Sequence, residues 1–125
     1  MNIFKASERG DVRRVRELLQ SGVSVNTQNE YKDTPLMLAL QNIQLEVARL
    51  LYEEYQADLN ISGLNGVTAI WFAAARGDYS EVEMLAGWGA DLEIKDDSGF
   101  TPVRVAARYG NTSVVQLLIR LGAKK

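Results

Sequence analysis

One stretch of this chain occurs twice at a fixed distance, and this recurrence constrains the fold more than any other feature. Residues 96–110 read DDSGFTPVRVAARYG, and residues 63–77 read GLNGVTAIWFAAARG. Both contain a turn, then a Thr, then a run of apolar and small residues, then a Gly; Thr101 follows Thr68 by 33 positions. A weaker copy contains Thr34, which lies 34 positions before Thr68. A fixed period near 33 predicts an array of short helical repeats.

Each copy predicts a turn, a capped helix and a helix end. In the last copy, Asp96 and Gly99 occupy the first and fourth positions of a type I turn. Thr101 is placed to cap a helix by accepting a hydrogen bond from a free backbone N–H, and Pro102 suits the first helical position. Gly110 suits the left-handed conformation that ends a helix. The local signals therefore agree with the period.

A second landmark sets the boundaries of the repeats. Gly22, Gly89 and Gly122 recur at separations of 67 and 33 positions, each after an apolar helical pattern. The chain is therefore predicted to be a single domain over residues 1–125. Its four repeats are predicted at about 1–26, 27–60, 61–93 and 94–125.

The sequence closely resembles the ankyrin-repeat family. The resemblance rests on Thr-Pro-Leu-x-x-Ala at residues 34–39, a following Gly, a Leu-Leu helix, and Gly-Ala-Asp-Leu at residues 89–92, and it covers nearly the whole chain. It implies an all-α solenoid of four helix-turn-helix repeats joined by short β-hairpin or turn connections. Repeats of this kind contact only their neighbours, so stability is shared along the array.

Several positions depart from the family's pattern. Ile43 stands where other repeats have the Gly that ends the first helix, so this helix end is expected to be less sharply defined. Lys32 stands in a turn where Gly is usual. Residues 51–58 contain one residue more than the matching stretch of the third repeat, which predicts a longer or irregular helix end. The family's His is missing, which predicts weaker polar bonding between repeats; its positions hold Phe4, Met37, Trp71 and Arg104.

The absence of His and Cys limits the catalytic and metal-binding chemistry that the chain can support. The chain has no His and no Cys, so it lacks the commonest general base, the commonest metal ligand and any thiolate. An acidic run lacks the alternating ligands and the closing Glu of a calcium loop. We therefore expect no catalysis, no cofactor and no metal ion. The acidic run consists of Asp91, Glu93, Asp96 and Asp97.

The net charge and the hydropathy of the chain argue against two classes of partner, nucleic acids and membranes. A net charge of −2 gives the chain no overall electrostatic attraction for nucleic acid. No apolar run approaches the length of a membrane span, and the N-terminus lacks the apolar core of a signal peptide. We expect neither a nucleic-acid nor a membrane partner, and a cytoplasmic location.

Large and varied side chains occur at the turns and first helices. In the ankyrin-repeat family these positions make most partner contacts, and Tyr, Trp and Arg often dominate binding energy. For Trp71 and Phe100 the alternative is local packing between turns. Carried over by position, the resemblance implies these partner-binding candidates: Glu30, Tyr31, Asp33, Gln41, Leu64, Asn65, Val67, Trp71, Asp97, Ser98, Phe100, Arg104, Arg108 and Tyr109.

These features predict a protein-binding scaffold or adaptor without catalysis. A small inhibitory subunit that blocks a partner enzyme's active surface is the alternative, and a nucleic-acid-associated regulator is a more remote one. A monomer is expected. Self-association through the last helix is the alternative, because this helix carries an apolar stripe that no further repeat covers. This helix is expected to fray, to pair with another copy, or to continue into a longer repeat array. The stripe consists of Val114, Leu117, Leu118 and Leu121.

Overall fold

The computed structural model describes all 125 residues, and its regular elements are all helical. Eight α-helices form four pairs, and each pair lies within one of the four predicted repeats. A π-helical segment, Leu50–Glu54, follows α4, and a 3₁₀ turn, Leu64–Gly66, precedes α5. The helices are α1 (Ile3–Arg9), α2 (Val12–Gln20), α3 (Pro35–Gln41), α4 (Leu45–Arg49), α5 (Ala69–Arg76), α6 (Tyr79–Gly87), α7 (Pro102–Arg108) and α8 (Thr112–Arg120).

Side chains at N-cap positions begin several of the helices. Thr34 and Thr68 have extended backbones, and their Oγ1 atoms accept hydrogen bonds from backbone N–H groups at 3.2 and 3.3 Å. Thr101 is also an N-cap residue, but its buried Oγ1 has no hydrogen-bond partner. The predicted capping bond of Thr101 is therefore wrong. The extended backbone of Thr101, with Pro102 at the first helical position, begins α7 without it.

Tight turns without β-strands precede the first helix of the last three repeats. The turn predicted at 96–99 is confirmed, because the Gly99 N–H donates to the Asp96 carbonyl at 2.9 Å. Each turn is closed by a backbone hydrogen bond to the residue four positions later. The donor and acceptor residues are Asn29 and Asp33, Gly63 and Val67, and Asp96 and Phe100, at 3.0, 2.8 and 2.9 Å.

Ile43 adopts the left-handed conformation that Gly adopts at the same position of other repeats. Its φ is 57°, against 75° at Gly77. The N–H of Gln44 donates to the carbonyl of Ala39 at 2.8 Å, and the same bond follows Gly77 in the third repeat. The expectation of a poorly defined helix end at Ile43 is therefore wrong. The closing hydrogen bonds instead hold a β-branched residue in a conformation that costs it energy.

The second helix of the second repeat accommodates its extra residue by widening. The π-helical segment Leu50–Glu54 forms larger hydrogen-bonded rings than an α-helix does. The Ala57 N–H then donates to the carbonyl of Leu51, six residues earlier, whereas the equivalent bond of the third repeat spans five residues. Gln56 has a φ of 51° where other repeats have Gly. The prediction of an irregular helix end is confirmed.

Two compact units divide the chain, an N-terminal unit Met1–Asp58 and a C-terminal unit Leu59–Lys125. In the N-terminal unit α1 packs against α2 and α3, and in the C-terminal unit α5 packs against α6 and α7. The organisation of residues 1–125 as a single domain stays a prediction. Fully buried side chains include Val15, Val47 and Leu51 in the first unit, and Ala73, Ala106 and Leu85 in the second.

The last helix buries most of its apolar stripe. Val114, Leu117 and Leu118 are at most 2% exposed, because α8 packs against α6 and α7. Leu121 is 45% exposed, and Val115 and Ile119, which flank the stripe on α8, are half-buried. The expectation that several side chains of the stripe lie uncovered is wrong. Fraying, continuation and self-association of this helix stay predictions.

Side-chain amides join successive helix pairs at positions that the sequence analysis did not single out. In the C-terminal unit, Asn111 Nδ2 donates to the carbonyls of Ala74 and Ala75 at 2.9 and 3.0 Å. In the N-terminal unit, Gln44 Nε2 donates to the carbonyl of Glu8 at 3.0 Å. These acceptors lie in the last turns of α5 and α1, where carbonyls lack helical partners. Polar bonding between repeats thus uses residues other than the family's His.

Replacing Ile43 by Gly should raise the free energy of unfolding by about 1 kcal/mol. The left-handed conformation costs a residue with a Cβ about 1–2 kcal/mol, which exceeds the greater chain entropy of Gly in the unfolded state. Little burial is lost, because Ile43 is 62% exposed. Ile43→Ala is the matched control, since it removes the exposed side chain and keeps the Cβ; it should not stabilise. Urea denaturation measures both variants, and a Gly variant no more stable than wild type would contradict strain here.

Candidate partner-binding surface

Two turns in direct contact carry exposed candidates of the C-terminal unit. The Asp97 N–H, in the turn before α7, donates to the carbonyl of Asn65, in the turn before α5, at 2.9 Å. A Cβ on Gly66 would lie 2.9 Å from the backbone nitrogen of Asp97, so there is no room for a side chain between the turns. The exposed candidates here are Leu64, Asn65, Asp97 and Ser98, while Val67 is half-buried.

Asp96 joins Trp71 to the turn before α7. The indole Nε1 of Trp71 donates to Asp96 Oδ2 at 3.0 Å. The other oxygen, Oδ1, accepts from the backbone N–H groups of Ser98 and Phe100, both at 2.9 Å. One carboxylate therefore accepts three hydrogen bonds from two repeats. Trp71 is half-buried, and local packing, the alternative raised from the sequence, describes its indole.

Two arginines of α7 lie over the ring of Phe100. The guanidinium carbons of Arg104 and Arg108 are 5.6 and 5.2 Å from the ring centroid, within the range of cation–π attraction. Phe100 is half-buried, whereas both arginines and the following Tyr109 are exposed, Tyr109 by 62%. Phe100 thus packs locally, but with side chains that face solvent. We call Phe100, Arg104, Arg108 and Tyr109 the arginine patch.

The N-terminal unit carries its own candidates at the turn before α3. Tyr31 is 59% exposed and Glu30 is exposed beside it. Asn29 Oδ1 accepts hydrogen bonds from the N–H groups of Tyr31 and Asp33, both at 2.9 Å. Asn29 therefore holds this turn as Asp96 holds the later one. The sequence analysis placed Asp96 at the first position of its turn but did not predict its side-chain bonds, and it did not single out Asn29, although Asn or Asp at that position is the signal.

Asp33 and Gln41 are brought together next to this turn. Burial raises the pKa of the Asp33 carboxyl, a hydrogen bond with Gln41 lowers it, and the Glu8 carboxylate raises it again, so the net shift is upward. Asp33 is half-buried and Gln41 is exposed. These two candidates therefore contact each other through a polar interaction.

The candidates therefore fall into two groups, one in each compact unit. No group of three or more His, Cys, Asp or Glu side chains is arranged to hold a metal ion. None of the helices has both the length and the apolar character that a membrane crossing requires. What the two groups present is exposed aromatic, apolar and charged side chains on hydrogen-bonded turns.

A buried carboxyl lies outside both groups. Glu81, in the first turn of α6, is 4% exposed, and its Oε1 has no hydrogen-bond partner. Burial and the neighbouring Asp78 carboxylate raise the pKa of Glu81 to about 7, although Arg76 acts in the opposite direction. The sequence analysis did not single out Glu81, because only the folded chain shows that its side chain points inward.

Two family models match separate parts of the chain. The model described as ankyrin repeats in many copies matches residues 3–52. The model described as ankyrin repeats in three copies matches residues 55–125. Together the matches cover all but four residues of the chain.

The human protein transient receptor potential cation channel subfamily A member 1 is similar over part of its length. It is 32% identical to this chain over 85 residues. The match covers 68% of this chain but 8% of that protein. The similarity thus extends to a small segment of the human protein.

The hydrogen bond between Trp71 and Asp96 should appear as a coupling energy of about 1–2 kcal/mol in a double-mutant cycle. The cycle compares Trp71→Phe, Asp96→Ala and the double variant, so that the backbone bonds of Asp96 cancel. The control cycle pairs Trp71→Phe with Asp97→Ala, an exposed neighbour without this bond, and should give a coupling near zero. Equal coupling in the two cycles would show that the indole–carboxylate contact contributes nothing specific.

Glu81 should make the folded chain less stable as pH rises from 4.5 to about 7. Across that window the folded state keeps a proton that the unfolded state has lost, so the free energy of unfolding falls. With a pKa raised from 4.5 to about 7, the full cost above that window is about 3 kcal/mol.

The neutral variant Glu81→Gln tests this effect, because it cannot ionise. Denaturation measured across the same pH range should show that it has lost this decline in stability. Glu83→Gln, an exposed change on the same helix, is the matched control and should keep the decline. A Glu81→Gln chain that loses stability with pH as wild type does would assign the effect to another group.

Proposed function

This chain belongs to the ankyrin-repeat family, and from that premise we propose that it is a non-catalytic module that binds a protein partner. The family and the all-α repeat fold class predicted from the sequence are confirmed. Ankyrin repeats are in general protein–protein interaction modules. Each of the two groups of candidates at the turns and first helices is proposed to contact the partner.

The exposure of large side chains at the turns carries this proposal. Tyr31, Leu64 and Tyr109 are 59%, 50% and 62% exposed. Tyr, with Trp and Arg, is enriched among the residues that dominate the binding energy of interfaces. Asn29 and Asp96 accept hydrogen bonds from the backbone of the turns that they begin. Because these turns are already ordered, they lose little conformational entropy when a partner binds.

The role we propose is that of a scaffold or adaptor. Trp71 and Phe100 support the surface through Asp96 and the arginines, and Tyr31 and Tyr109 contact the partner directly. Tethering a partner and inhibiting a partner enzyme would use the same surface. The activity of the captured partner, measured with and without this chain, separates these two roles.

Site-specific crosslinking tests the proposal. A photoreactive amino acid placed at Tyr31 or at Tyr109 should crosslink the same protein in cells of the source organism. Placed at Gln116 or Glu83, which are exposed on the second helices α8 and α6, it should not. Crosslinks formed only from these two control positions would place the interaction on the opposite elements and contradict the proposed surface.

Affinity measurements with the captured partner complete the test. Tyr31→Ala and Tyr109→Ala should each weaken binding by about tenfold or more, as truncation of a central interface aromatic does. Gln116→Ala is the control and should leave the affinity unchanged. Wild-type affinity in both Tyr variants would rule out the turn before α3 and the end of α7 as the binding site.

A further inference from the structure

A long stretch near the C-terminus contains no carboxylate. Residues 98–123 contain three Arg and no Asp or Glu, although the whole chain has 16 acidic and 14 basic residues. Arg120, in this stretch, donates from Nη2 to the hydroxyl of Tyr79 at 2.9 Å. Arg104 and Arg108 lie one helical turn apart on α7. The stretch itself therefore carries only positive side-chain charge, although the whole chain has a net charge of −2.

Arg104 and Arg108 have no acidic partner within the chain. Its four ion pairs involve other residues, and neither guanidinium donates a hydrogen bond. The turn just before α7 contains two acids: Asp96 already accepts three hydrogen bonds, and the exposed Asp97 forms no ion pair with either arginine. The N–H donors of both arginines are thus available to a ligand. Arginine presents them as a planar fork that matches a carboxylate.

The ring of Phe100 lies within cation–π distance of both guanidinium groups, which favours the position that each occupies. Their carbon atoms lie 5.6 and 5.2 Å from its centroid, and Asp96 fixes Phe100 by accepting its backbone N–H at 2.9 Å. A side chain that is already positioned loses less entropy on binding than a free one. Tyr109 follows Arg108 at the helix end and adds an exposed aromatic surface. The patch therefore combines two placed cations with an apolar contact.

On the basis of the function proposed above, we propose that the arginine patch binds an acidic peptide segment of the protein partner. Two carboxylates of the segment pair with Arg104 and Arg108, and a neighbouring apolar side chain packs against Tyr109. Residues four apart on a helix are about 6 Å apart along its axis. Alternate side chains of an extended strand lie about 6.6 Å apart on one side. A segment of the form Glu-x-Glu followed by an apolar residue matches this spacing.

Single-stranded nucleic acid is the other ligand class that uses Arg and aromatic side chains. Its affinity depends on many phosphate contacts, and the patch offers two cations on a chain of net charge −2. The observations therefore favour a peptide. A labelled oligonucleotide enters the test as a competing ligand.

Fluorescence anisotropy with short labelled peptides tests the proposal on the full chain. The probe carries Glu-x-Glu and a following Leu, and the control peptides replace both Glu by Gln or by Lys. We expect saturable binding of the acidic probe that weakens with salt, and about tenfold or greater loss with either control peptide. Failure of the acidic probe to saturate, equal binding of a control peptide, or tighter binding of the oligonucleotide at the same salt would each overturn the proposal.

Two double variants with the same change in charge test whether the acidic probe binds at the arginine patch. Arg104→Gln with Arg108→Gln should weaken the acidic probe about tenfold or more. Arg9→Gln with Arg13→Gln removes the same charge from exposed sites in the N-terminal unit and should leave affinity near wild type. Urea denaturation confirms that both double variants fold. A loss of affinity that is equal in the two double variants would reduce the effect to net charge and overturn the assignment.

The same variants separate this inference from the function it rests on. If the crosslinked partner binds the Arg104→Gln, Arg108→Gln chain with wild-type affinity, the patch assignment fails and the protein-binding function stands. If no protein crosslinks from Tyr31 or Tyr109, the proposed function fails, whatever the peptides do.

Discussion

A chain that joins its helices without strands must satisfy the backbone groups of each connection locally, and this requirement organises the molecule. Asn29 and Asp96 meet it by accepting two backbone N–H groups each from the turns that they begin. Asn111 and Gln44 meet it at helix ends by donating to carbonyls of the preceding helix pair. The exposed side chains of the candidate surface depend on this framework, because the turns they occupy keep one shape through these bonds.

The sequence predicts those parts of the fold that depend on local chemistry. The period, the helix pairs and most helix starts follow from turn residues, caps and apolar spacing. Ile43 shows where local reasoning fails: Gly is the least costly residue in the left-handed conformation, but the closing hydrogen bonds impose that conformation on Ile as well. The bond between Trp71 and Asp96, and the burial of the stripe on α8, arise from packing between segments distant in sequence. No local pattern contains that information.

The candidate surface was predicted by position within a repeat, and the structure adds what each side chain does there. Position alone did not distinguish Tyr31, which is exposed, from Trp71, whose indole is bonded within the chain. Charged side chains without an ion-pair partner lie in two different environments. Arg104 and Arg108 are exposed to solvent, whereas Glu81 is buried and its pKa rises to about 7. The first arrangement suits a charged ligand, and the second makes stability depend on pH.

The π-helical segment Leu50–Glu54 confines an inserted residue to a single turn, after which the helix-pair pattern resumes. The two family matches leave residues 53 and 54 between them, inside this segment. One extra residue is thus absorbed inside a single helical turn, and the two helix pairs of the C-terminal unit keep the same pattern as each other.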